Sequence, residues 1–72
     1  MLIVNQSRNY IVNLNSVEFI STNQKGNIEF YSKNCDCVYH IVGNYETEQK
    51  AKDVLQQIWS AYANGEKAFL MP

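Results

Sequence analysis

The sequence predicts an α+β fold: a small antiparallel β-meander of four to five short strands, one C-terminal α-helix packed on one face, and a short terminal strand. Three features carry that expectation. Short apolar runs separated by polar turns fill the chain up to Val42, the pattern of strands joined by tight connections. Beyond Gly43-Asn44 the apolar residues recur at helical rather than alternating spacing. A last apolar run then follows a glycine stop.

Leu2 to Val4 is a first β-type run, closed by the polar turn Asn5-Gln6-Ser7-Arg8-Asn9. Tyr10 to Leu14 is a second, and Asn15-Ser16 turns the chain. Val17 to Thr22 is a third. Asn23-Gln24-Lys25-Gly26-Asn27 reads as a hairpin loop in which Gly26 supplies positive φ, leading into Ile28 to Ser32. Lys33-Asn34 turns into Cys35 to Val42, the longest run. Ala51, Val54, Leu55, Ile58 and Tyr62 then fall at i, i+3, i+4, i+7 and i+11, one stripe of a helix of about 17 residues and ~26 Å. Thr47 is the expected N-cap, Glu48 complements the positive end of the helix dipole, and Asn64-Gly65 is the expected Schellman stop. Glu46–Lys50 and Glu48–Lys52 are expected i,i+4 ion pairs. Lys67 to Met71 is expected to return to the sheet as an edge strand ended by Pro72.

The 72 residues have room for one domain and one core, without a second lobe to form a cleft. So short a chain buries only ~60% of its unfolded surface, so a disulfide, a metal or self-association is the expected supplement. A formal net charge of −1, with the cations scattered, argues against nucleic acid as a partner, which calls for a basic stripe. The opening Leu2-Ile3-Val4 is too short for a signal peptide or a membrane span, so a cytoplasmic chain with reduced thiols is expected, not in contact with a membrane.

Cys35-Asp36-Cys37-Val38-Tyr39-His40 is the one cluster with metal-ligand character. Two Cys and one His do not complete a tetrahedral site within one chain, although Cys35 and Cys37 from two copies would supply four thiolates. The expected state is two small thiols packed as hydrophobes, with no cofactor. His40 has no nucleophile or orienting acid in a triad pattern, and Gly26, Gly43 and Gly65 are too dispersed for a phosphate loop, so no enzyme is expected. The aromatic residues are the better functional signal. Trp59 sits about 80° off the centre of the helical stripe, at its rim. By strand parity Val17, Phe19, Ile28, Phe30, Tyr39 and Ile41 face the helix, which leaves Ile20, Tyr31, Val38, His40 and Val42 on the reverse face. One helix covers one face of a sheet, so Ile20, Tyr31, Val38, His40, Val42 and Trp59 are the expected partner-binding residues.

Leu2-Ile3-Val4-Asn5-Gln6, Tyr10-Ile11-Val12-Asn13-Leu14, Tyr45-Glu46-Thr47-Glu48, Ala51, Val54-Leu55 and Phe69-Leu70-Met71-Pro72 together resemble a group of very short proteins of Gram-positive bacteria and their phages. The resemblance implies a β-meander plus helix, a cytoplasmic setting and a mobile-element origin. It carries no activity, and Cys35-Asp36-Cys37 lies outside its pattern. The expected function is a non-catalytic, homodimeric protein-interaction module that also engages another protein. The alternative is a phage-encoded inhibitor of a host defence system or a sponge for a signalling nucleotide.

Overall fold

The computed structural model describes residues 1–32 and 39–72, and for Ser32, Tyr39 and His40 the backbone alone. The chain runs through β1 (Leu2–Val4), β2 (Ile11–Asn13), one 3₁₀ turn (Leu14–Ser16), β3 (Val17–Thr22), β4 (Asn27–Ser32), β5 (Tyr39–Asn44), α1 (Glu48–Ala63) and β6 (Ala68–Leu70). The class is α+β, as the period change implies. β3, β4 and β5 form the antiparallel meander. The strands β2, β1 and β6 make a second sheet in that order, with β6 joined parallel to β1 along its edge. The polar turns explain the division: the 3₁₀ turn after Asn13 breaks the ladder between β2 and β3.

Each boundary has a local cause. The Asn5 side chain, buried in the β1–β2 turn, accepts from the amides of Asn9 (3.0 Å) and Tyr10 (3.1 Å) and donates to Asn9 Oδ1 (2.7 Å). Asn23 does the same for the hairpin, its Oδ1 accepting from Lys25 N (2.9 Å) and Asn27 N (3.2 Å). Gly26 completes that hairpin at φ +81°, and a side chain there would strike the Tyr45 carbonyl. Thr47 caps α1 by accepting from Lys50 N at 3.1 Å. At the other end Gly65 N donates to Tyr62 O (3.1 Å) and Glu66 N to Ala61 O (3.0 Å), the two bonds of a Schellman stop. Neither expected ion pair on α1 closes; Gln49 donates instead to Asp53 at 3.1 Å.

The core is Ile3, Ile28, Phe30, Val42, Ala51, Val54, Ile58 and Met71, with Met1, Val12, Leu14, Val17, Ile20, Tyr45 and Phe69 around it. Thus α1 turns Ala51, Val54 and Ile58 inward over β3 and β4, while Tyr62, the last residue of the expected stripe, is exposed. Two bulges interrupt the meander, and the expected faces are corrected in both β3 and β5. From Val17↔Ser32 to Phe19↔Tyr31 β3 advances two residues against one, so Glu18 is extra and Phe19 shifts to the outer face. From Ile28↔Gly43 to Glu29↔Ile41 β5 advances two against one, so Val42 is extra. In β5 the alternation runs in the phase opposite to the one expected, so Ile41 shares the side of Glu29 and Val42 is core at 1% exposure; Ile20, opposite Phe30, packs inward, so neither Val42 nor Ile20 lies on the reverse face. Phe19 and Ile41, expected inside, are outside.

The β5 edge is covered by the β1–β2 turn: Gln6 N donates to Val42 O (2.9 Å) and the Tyr10 hydroxyl to Ile41 O (2.9 Å). Arg8, held at φ 62°, reaches the far end of the chain and donates to Met71 O at 2.7 Å. Among the described residues no helix is long and apolar enough to cross a membrane.

Candidate interaction surfaces

Of the expected site residues, the structure brings together fewer than the parity argument required. Tyr31 remains on the outer face of the meander, opposite Phe19. Their rings stack at 4.3 Å between centroids with planes 16° apart, and Phe19 is still 52% exposed. Ile41, 47% exposed, pairs with Glu29 on the same face. The outer face therefore carries apolar residues, but they are Phe19, Tyr31 and Ile41 rather than Ile20 and Val42, and Ser21 and Glu29 stand in the same row as Ile41. Val38, Cys35 and Cys37 lie outside the described residues, and of His40 only the backbone pairing with Phe30 is described. Among the described residues no three His, Cys, Asp or Glu side chains gather as a metal site.

Trp59 stands where the helical angle placed it, at the rim of the buried stripe, with 67% of its surface exposed. Its neighbours come from both halves of the chain. Trp59 and Tyr62 wall a groove of about 500 Å³ whose floor is Leu14, Ile20, Leu55 and Ile58. Leu14 comes from the 3₁₀ turn and Ile20 from β3, so the groove runs between the first half of the chain and α1. Among the described residues Lys52 is its only charged lining residue, beside the neutral Asn15 and Gln56. The i, i+3, i+4, i+7 recurrence of Lys52, Leu55, Gln56 and Trp59 was present in the sequence, but its polar members masked it as a face.

A third uncovered surface is the outer side of the second sheet. Val4 lies between Ile11 and Leu70 in one row, and Leu2 is in the next. Ile11 and Leu70 are exposed, whereas Ile3, Val12 and Phe69 alternate with this row toward the core. Its apolar residues are all aliphatic, and Asn13, opposite Leu2, stands at its edge.

Two tyrosines at the seams carry perturbed phenols. Burial pushes the Tyr45 hydroxyl above its usual value, with the Arg8 charge partly opposing, and its oxygen donates to Pro72 O at 3.0 Å. Burial likewise raises Tyr10. Both are hydrogen-bonded to backbone carbonyls of other segments, a structural role for a tyrosine at a seam. No protein-family model, curated protein or solved structure matches the chain.

Proposed function

We propose that this protein is a non-catalytic protein-interaction module that self-associates through the outer face of β3-β4-β5. The supporting observation is that Phe19, stacked on Tyr31, is 52% exposed and Ile41, on the same face, is 47% exposed. Aromatic side chains with few rotatable bonds are the commonest anchors of interfaces, and rings already stacked lose little freedom on docking. A 72-residue chain also gains burial that α1 does not provide. The aliphatic Leu2–Ile11–Leu70 face lacks such an anchor. A nucleotide sponge is less well supported, because a phosphate-bearing ligand would find one cation, Lys52, in the groove. The cytoplasmic setting and the likeness to small proteins of Gram-positive bacteria and phages belong to the same reading.

Light scattering tests it. The expected mass is about twice the 8.3 kDa of one chain. Phe19→Ser is expected to return it to one chain, and Ile11→Ser to leave it doubled. A wild type of single-chain mass at about 100 μM ends the dimer.

A further inference from the structure

We propose that the groove between α1 and the 3₁₀ turn receives an amphipathic helix of another protein, carrying an acidic residue at the end that meets Lys52. This rests on the interaction-module reading but uses a different surface from the self-association. α1 lies over β3 and β4, and on the β3 side the space next to it is the groove. The exposed wall runs from Lys52 to Tyr62, about 15 Å along the helix axis and so two to three turns of a facing helix. Its side chains recur at three and four residues, which form the ridges that a second helix packs between. A guest helix would set branched apolar side chains over Leu14, Ile20 and Leu55, with Trp59 and Tyr62 closing over its flank.

Charge decides the guest. Lys52 is the one ion among the lining residues, and among the described residues its ammonium has no ion-pair or hydrogen-bond partner. It therefore favours a carboxylate at one end of an otherwise apolar stripe. A guest strand is disfavoured, because β3 carries a bulge and the charge of Glu18 along its edge, features that blunt strand addition. A second copy is disfavoured as well, since α1, the one α-helix among the described residues, turns its buried stripe of Ala51, Val54 and Ile58 to its own core.

Trp59 is the only tryptophan of the chain, so its emission reports on the groove alone. The probe is a designed 16-residue amphipathic peptide with a leucine stripe and one terminal glutamate, set against the same peptide with lysine in place of that glutamate and a scrambled one. The full chain is expected to show a saturable blue shift with the glutamate peptide, about fivefold tighter than with the lysine peptide, the upper range for one surface ion pair. Lys52→Glu, at an exposed site that leaves folding intact by circular dichroism, is expected to reverse that preference. No saturable shift up to about 1 mM peptide overturns the proposal, and so does equal affinity for the scrambled peptide or an unchanged preference in Lys52→Glu. A shift with a cyclic dinucleotide and none with peptide overturns it in favour of a nucleotide site. Each of these results leaves the dimer mass untouched, so the two readings fail separately.

Discussion

Gly26 and Gly65 both hold positive φ, at +81° and +76°, yet they are not equivalent. Gly65 faces open space, so Gly65→Ala bears only the left-handed backbone cost, about 1–2 kcal/mol. At Gly26 the added carbon also meets the Tyr45 carbonyl and disturbs the Tyr45 N to Gly26 O bond (2.9 Å) that ties the hairpin to the start of α1. Gly26→Ala is therefore expected to cost at least about 1 kcal/mol more than Gly65→Ala in urea denaturation, and equal costs would show that the hairpin tip yields. The tyrosine seams make the second residue-scale expectation. Tyr10 and Tyr45 hold their protons more tightly folded than unfolded. Their contribution is complete below the unfolded value near 10 and declines as pH rises through the higher folded values. Stability is expected to fall from about pH 10 upward, and Tyr45→Phe to flatten part of that fall in alkaline denaturation curves.

At the scale of elements, α1 was the most legible part, because its cap, stripe and stop are each local. The Thr47 hydroxyl bonds the Lys50 amide, so Thr47→Ala is expected to destabilise by about 1 kcal/mol, read from the same urea curves; no change would mean that the first turn is held by packing alone. The strands were legible as runs and turns but not as faces. Period-two parity assumes an unbroken ladder, and one extra residue reverses every assignment beyond it. Glu18 is such a residue, and no motif marks it, since whether a ladder slips depends on the partner strand. That is why Phe19 was expected inside and Ile20 outside; in β5 the alternation up to Val42 is unbroken, and the run alone does not fix which of its two phases, the one with Ile41 inside or the one with Val42 inside, meets the core. The division into two sheets was hidden for a similar reason: β6 finds β1 through a parallel pairing across most of the chain length, and the tail alone encodes only that it is apolar. Trp59 was readable as a rim residue from helical angle, whereas its groove needed Leu14 and Ile20 brought from the other half of the chain.

At the scale of the whole molecule, the same shortage of surface links stability to association. Among the described residues eight apolar side chains are buried in the core, and Phe19, Ile11, Ile41, Trp59 and Leu70 remain in water. Anything that covers them in the folded state alone raises the unfolding free energy by mass action. If the outer face of the meander joins two copies, unfolding releases two chains of 72 residues, and the midpoint must rise with concentration. With about 2.1 cal/mol/K of unfolding entropy per residue, each tenfold increase in protein is expected to raise Tm by about 5 °C. Phe19→Ser should abolish that slope while costing little in a dilute sample, because the ring contributes nothing to the core. Val42→Ala should do the reverse, lowering Tm at every concentration and keeping the slope, since its side chain is core at the bulge. Calorimetry across two decades of concentration separates the two. A wild-type midpoint independent of concentration would mean that one helix and two small sheets suffice for the isolated chain, and the exposed aromatic stack would lose its proposed role.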